Sequence, residues 1–194
     1  METIKDLKDI AEVIAGYSFR TALHNKANAS SFVLQAKNIL DDSMVDMDNL
    51  DGIDFENYRS RAIVKNGDVV ISSRGSFRAG SVKLENENTK EIIASSSVYI
   101  LRLKKEIILS KYLAIYLNSI EGQKKLNERA TGAAIKSIRR NDLENMSIAL
   151  PNIETQNKII EIYNTDKELQ KVLSKKINLV KDINEIAINK LLNK

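Results

Sequence analysis

Asp68 is the first residue whose setting suggests chemistry. It follows Gly67 and precedes the apolar run Val69-Val70-Ile71, where a metal-dependent nuclease would carry its first acidic ligand. Such an enzyme also needs an acid-x-Lys pair on an adjacent strand, so that a metal is held and a water activated. The only such triplet is Asp6-Leu7-Lys8, far from the middle of the chain. The other routes to catalysis are equally bare. His24 is the single histidine and there is no cysteine, so histidine triads, thiolate metal sites and cysteine nucleophiles have nothing to build on. No G-x-x-x-x-G-K-[ST] phosphate loop and no G-x-G-x-x-G turn occurs, which removes the usual cradles for ATP and for dinucleotides. Asp46-Met47-Asp48-Asn49-Leu50-Asp51-Gly52 has the flavour of a calcium loop. Its third ligand and its glycine are displaced by one residue, and it reads as a solvated acidic loop. We expect no catalytic residue, no metal and no cofactor.

Charge supplies the positive signal. Residues 1–60 carry 6 basic and 11 acidic side chains, a net −5; residues 61–150 carry 16 and 9, a net +7; the remainder carries 8 and 6, a net +2. A basic middle on a nearly balanced chain is what local phosphate contact requires, although a lysine-rich solvated surface has the same composition.

The elements that must position these residues fall into two parts, divided by Pro151, the only proline. Residues 1–150 read as an α+β domain with a mixed or curled sheet. Ile4, Leu7, Ile10, Ala11 and Ile14 have helical spacing and predict a helix from Thr3 to Ala15. Short strands are expected at Phe32–Leu34, Asn38–Leu40, Arg61–Val64, Val69–Ser72, Ala79–Leu84 and within Glu91–Leu103. Asp41–Glu56 reads as an acidic loop. A helix capped by Ser110 carries Tyr112, Leu113, Tyr116 and Leu117, and Thr131–Ala134 forms a loop before a last strand at Met146–Leu150.

Residues 151–194 have no glycine and no further proline, and predict one helix capped by Asn152. Leu169, Leu173, Val180, Ile183 and Ala187 fall on a heptad seam flanked by Val172, Ile177, Ile186 and Leu191, while Asp166, Lys176 and Asn184 interrupt it. About 40 residues at a 1.5 Å rise make a rod roughly 60 Å long. A rod of that length needs a partner helix for its stripe, so Leu169, Leu173, Ile177, Val180, Ile183, Ala187 and Leu191 are the expected pairing residues. No apolar run is long enough to span a bilayer and the start lacks a signal-peptide pattern, which gives a cytoplasmic expectation.

Three segments carry a family likeness. Gly67-Asp68-Val69-Val70-Ile71-Ser72-Ser73-Arg74-Gly75-Ser76 resembles a strand and turn of type I restriction-modification specificity subunits. Tyr112-Leu113, Tyr116-Leu117-Asn118-Ser119 and Glu121-Gly122-Gln123 resemble a helix of the same family. Thr131-Gly132 to Ile138, Asp142-Leu143-Glu144-Asn145 and Ile148-Ala149-Leu150-Pro151 to Gln156 resemble its passage from recognition domain to long helix. Order and spacing agree over most of residues 63–165. Residues 17–60 match nothing, as expected where such domains diverge with their target.

The resemblance implies a half-length specificity subunit, with one target-recognition domain and one conserved helix. By that likeness the chain binds double-stranded DNA and pairs with a second copy through antiparallel helices. It also implies docking of methyltransferase subunits, which hold the methyl donor and the chemistry, with a restriction or translocase subunit as a further partner. Guanidinium groups suit guanine edges, while Lys, Ser and Thr suit phosphates. We therefore expect Arg74 and Arg78 beside the glycine turn to contact DNA, with Ser72, Ser73 and Ser76 as smaller contacts. Lys136, Arg139 and Arg140 should grip the backbone from the Thr131-Gly132 loop. A partner for a methyltransferase complex without a restriction subunit, or an assembly adaptor that binds no DNA, are the competing readings.

Overall fold

Strand pairing between the two extremes of the first unit sets its frame. The computed structural model describes residues 3–19, 26, 28–54, 61–84, 90–104 and 106–192. The chain divides into two compact units, 1–157 and 158–194.

In the first unit, β1 (Thr3–Asp6), a single turn α1 (Leu7–Ile10) and β2 (Ala11–Ala15) replace the helix predicted over Thr3–Ala15. The reason lies in burial. Leu7 and Ile10 enter the core from one turn, and β2 buries Ala11, Val13 and Ile14 on both of its faces. A turn followed by a doubly buried strand reproduces helical spacing at positions 7, 10, 11 and 14. Pairing then fixes the outcome, because β1 runs antiparallel to β9 (Ser147–Leu150), with Thr3 opposite Leu150.

Two further sheets share a core. One has β2 at its edge, followed by β8 (Val98–Leu103), β5 (Val69–Ser72) and β6 (Ala79–Ser81), all antiparallel neighbours. The other places β3 (Ser31–Leu34) between β4 (Asp51–Ile53) and β7 (Ile92–Ala94), antiparallel to the first and parallel to the second. Ile14, Val70, Val98 and Ile100 of the larger sheet meet Leu34 and Ala94 of the smaller one in a single apolar cluster. This is the α+β class with mixed sheets, none of them closed. Three expected strands are shorter or absent: Ala79–Leu84 ends at Ser81, Arg61–Val64 contributes only an Ile63–Ile93 bridge, and Asn38–Leu40 a 3-10 turn and an Ile39–Val45 bridge.

α2 (Ser110–Asn118) is buried from Tyr112 through Leu117, and α3 (Ile120–Arg129) follows after a break at Ser119. The Ser119 hydroxyl makes that break by accepting the Gly122 N–H at 3.1 Å, an N-cap for α3. These helices also close the free edge of β9. Tyr112 Oη donates to the Ala149 carbonyl at 2.7 Å and Lys125 Nζ to the Ser147 carbonyl at 3.2 Å.

α4 (Arg140–Glu144) is a short turn, and α5 (Ile153–Leu192) is the long helix. Asn152 Oδ1 accepts the Thr155 N–H at 2.8 Å and so caps α5. In its first turn Gln156 is fully buried. Its amide accepts the Leu109 N–H and donates to the carbonyls of Ile107 and Pro151, each at 2.9 Å. The second unit is the rest of this helix, and every residue from 168 to 192 is exposed. No helix among the described residues is long and apolar enough to cross a membrane.

Candidate nucleic-acid interface

The turn between β5 and β6 carries Arg74, Ser76 and Arg78 on the surface. Gly75 sits at φ +79°, where a side chain is disfavoured, so glycine is the residue that lets the chain reverse there. Phe77 is more telling. It holds φ +46° without being glycine, and it is completely buried. Such a conformation costs of order 1–3 kcal/mol and persists only where surrounding contacts enforce it. Those contacts come from α2 and α3. Gln123 Nε2 donates to the Phe77 carbonyl at 3.2 Å, and the Asn118 amide exchanges two hydrogen bonds with the Ala79 backbone at 2.9 and 2.7 Å. The helical segment is thus a brace for the arginine turn.

The second basic stretch packs against the same turn. Gly75 N–H donates to the Lys136 carbonyl at 2.8 Å and Ile138 N–H to the Ser73 carbonyl at 3.1 Å. The Thr131–Ser137 loop is itself closed by reciprocal backbone bonds of 2.9 and 2.8 Å. Gly132 is at φ +111°, and an added Cβ would collide with the Ile135 carbonyl. Two stretches some sixty residues apart in sequence therefore form one surface, with Arg74, Ser76, Lys136, Arg139 and Arg140 exposed on it.

Ser72 and Ser73 do not belong to that surface, contrary to expectation. They are 3% and 6% exposed, because Ser72 ends β5 opposite Val98 and the Ser73 N–H is held by the Ser97 carbonyl just beyond it. Ser73 Oγ donates to the Ser96 carbonyl at 3.1 Å, while Ser72 Oγ is buried with no hydrogen-bond partner among the described residues. Neither hydroxyl is available to a ligand.

The exposed cations differ in their partners. Arg78 Nη1 meets Asp41 Oδ1 at 3.0 Å beside a polar recess of about 250 Å³ that Asn118 and Gln123 also line. Arg139 Nε pairs with Asp142 at 2.7 Å and Arg140 Nε with Glu144 at 2.8 Å. Lys136 Nζ donates to Asn127 Oδ1 at 2.8 Å. Arg74 has no carboxylate partner among the described residues. Exposed pairs of this kind contribute little stability, about 0–1 kcal/mol, so their arginines can exchange a carboxylate for a phosphate at small cost.

Sequence reasoning missed Tyr99. From near the start of β8 its hydroxyl donates to the Ile138 carbonyl at 3.1 Å. Burial raises its pKa, against the opposing pull of the Arg74 charge and of Arg140. The only signal for it in sequence is an aromatic residue set between Val98 and Ile100.

Asp68 turns out to be structural. Its carboxylate is 3% exposed, is gripped by Arg102, and also accepts the Lys65 N–H at 2.7 Å. Among the described residues no group of three His, Cys, Asp or Glu side chains could hold a metal. His24 lies outside the described residues.

The type I restriction modification DNA specificity domain matches residues 2–185. The chain belongs to that family. No curated protein matches it. Among solved structures, the HsdS subunit from Thermoanaerobacter tengcongensis is similar at 19% identity and a TM-score of 0.63, over 89% of this chain and 39% of that one. A chain from a study of complex assembly and conformational transition of the type I R-M system gives 18% and 0.64, over 89% and 40%. The type I S subunit from M. genitalium gives 15% and 0.56, over 90% and 41%. At these identities the likeness is one of fold. The specificity-domain chain spans about two fifths of the length of the proteins it matches.

Proposed function

We propose that this chain recognises DNA for a type I restriction-modification system, each copy reading one half of a bipartite target. The juxtaposition of the Arg74 turn and the Lys136–Arg140 stretch carries the reading. It gathers five exposed polar or basic residues on one surface of a specificity-domain fold, with Arg78 beside them. Arg74 and Arg78 are suited to base edges, and Ser76, Lys136, Arg139 and Arg140 to phosphates. In this reading residues 1–150 are the recognition domain and 151–194 the spacer, and the chain works on cytoplasmic DNA.

The helix supports pairing with a second copy. Leu169 is 55% exposed, Leu173 48%, Val180 49% and Ile183 64%, a seam left open to solvent. The apolar face is wider than that seam. Val172, Leu179 and Ile186 flank it on one side and Ile177 and Leu191 on the other. A two-stranded coil needs only the narrow stripe. The extra width suits a second copy together with a helix of another subunit, for which a methyltransferase subunit is our choice, with a restriction subunit joining the complex. Two copies related by a two-fold axis present identical readers in opposite orientation. A rod of roughly 60 Å suits half-sites one to two turns of about 34 Å apart.

Co-expression with the methyltransferase subunit, followed by methylation mapping, tests this. An inverted-repeat motif with a spacer is expected. A contiguous asymmetric motif sinks the two-copy arrangement, and methylation that ignores the chain sinks the reading altogether.

A further inference from the structure

We propose that Arg78 reads a guanine through the side-on fork of its guanidinium, Nε and Nη2, and that Asp41 is the positioning residue that aims it. The proposal rests on the DNA-binding reading and adds the base and the atoms that read it.

The exposed arginines differ atom by atom in how they are held. Asp142 takes Nε of Arg139 and Glu144 takes Nε of Arg140, so each side-on fork is already engaged. Asp41 instead takes Nη1 of Arg78, at 3.0 Å. Nε and Nη2 of Arg78 have no partner among the described residues. Those two N–H groups share one edge of the guanidinium plane and point the same way, the edge with which Arg102 holds Asp68. Guanine presents two acceptors, O6 and N7, side by side in the major groove, whereas adenine sets a donor beside its N7. The edge left open on Arg78 therefore matches guanine and conflicts with adenine. Charge separates a base from a phosphate as its ligand. The Arg78–Asp41 pair is formally neutral, so its pull on an anion is weak, while its directional match to a neutral base edge is kept.

Both halves of the pair are fixed to one frame. The Arg78 carbonyl accepts the Ser72 N–H at 2.9 Å, and its neighbours Phe77 and Ala79 are fully buried. Asp41 lies in a turn closed by a 2.9 Å bond from the Leu40 N–H to the Met44 carbonyl. That turn is anchored at Ser43, whose hydroxyl accepts from Asn118 Nδ2 at 2.8 Å and whose carbonyl accepts the Ser81 N–H at 3.0 Å. Lys111 Nζ adds a bond of 2.6 Å to the Asp42 carbonyl. The same Asn118 amide holds the Ala79 backbone, so one side chain of α2 ties the Asp41 turn to the Arg78 turn. Asp41 also falls within residues 17–60, which share no motif with the family, a place where aim can vary from chain to chain.

The test is methylation mapping with the full chain co-expressed with the methyltransferase subunit, for the parent, Arg78→Ala, Arg78→Lys, Asp41→Ala and Asp41→Asn. One guanine in each half-site should become degenerate with both Arg78 changes, since lysine has no fork, while the other positions hold. Asp41→Ala should relax that same position, and Asp41→Asn, which keeps an acceptor for Nη1, should restore most of it. Both side chains are exposed, so the variants should melt with the parent. Binding to a labelled duplex of the mapped motif then reads the atoms. Adenine in place of the guanine should weaken the parent roughly five- to a hundredfold, and 7-deazaguanine several-fold. Arg78→Ala should be indifferent to 7-deazaguanine and should keep the parent's salt slope. A slope lowered by about 0.9 marks a phosphate contact and overturns the guanine reading. So does a motif that Arg78→Lys leaves unaltered, or one without guanine in its half-site. An unaltered motif with Asp41→Ala overturns the positioning role. Methylation that ignores the chain instead overturns the DNA reading itself.

Discussion

The Arg102 guanidinium holds both oxygens of the Asp68 carboxylate, Nε to Oδ1 at 3.0 Å and Nη2 to Oδ2 at 2.8 Å, and its Nη2 also donates to the Ile63 carbonyl at 2.8 Å. The pair ties the turn before β5 to β8. Asp68→Ala should destabilise the unit by about 2–4 kcal/mol, because it leaves a largely buried guanidinium without its partner. Asp68→Ala combined with Arg102→Met should recover part of that loss. Denaturant titration of the two variants checks it; equal losses would mean that the pair does not act as a pair.

Gln156 should be nearly as sensitive. It makes three hydrogen bonds at zero exposure, and Gln156→Leu would strand the Leu109 N–H and two carbonyls. A cost of roughly 2–4 kcal/mol is expected. Thermal melting should show it in the first unit, while the helical circular dichroism of residues 158–192 in the assembled complex stays intact.

Arg139→Ala with Arg140→Ala should weaken duplex binding without regard to sequence and should flatten its dependence on salt by about one to two units. Melting temperature should change little, since both ion pairs are exposed. An unaltered slope removes both residues from the interface.

Gly132→Ala tests the loop separately from its charges. The residue sits at φ +111° and its new Cβ would meet the Ile135 carbonyl, so Thr131–Ser137 must deform. Duplex affinity should fall several-fold through displacement of Lys136, with about 1–3 kcal/mol lost in stability. Normal binding by a folded variant would show that the loop does not touch DNA.

Leu173→Glu with Val180→Glu places charge in the open seam of α5. Sedimentation should change from dimer to monomer, with melting of the first unit unaltered. A parent chain that sediments as a monomer at high concentration, even with methyltransferase subunit present, contradicts the pairing.

The sequence made some of this legible and hid the rest for physical reasons. α5 could be read because its apolar residues recur at helical spacing through forty residues without glycine or proline. The Arg74 turn was legible from Gly75. The amino-terminal helix was misread because β1 is fixed by β9, a partner no local pattern encodes. Asp41–Glu56 was read as a loop because it is acidic, yet Asp51 accepts from Gln35 and Lys37 and opens β4. Ser72 and Ser73 looked like surface hydroxyls, and only the burial of the end of β5 against β8 shows them to be interior. Tyr99 was invisible because its hydroxyl meets the Ile138 carbonyl, 39 residues away in the chain.

The pairing of Thr3 with Leu150 also governs when this unit can finish folding. The Thr3 hydroxyl and the Leu150 carbonyl it binds are 147 residues apart. On the ribosome the first strand therefore emerges long before its mate, and the closing step waits until synthesis has reached the junction with α5. The first unit thus becomes complete only as α5 begins to appear, so its folding is timed to the synthesis of the helix that follows it.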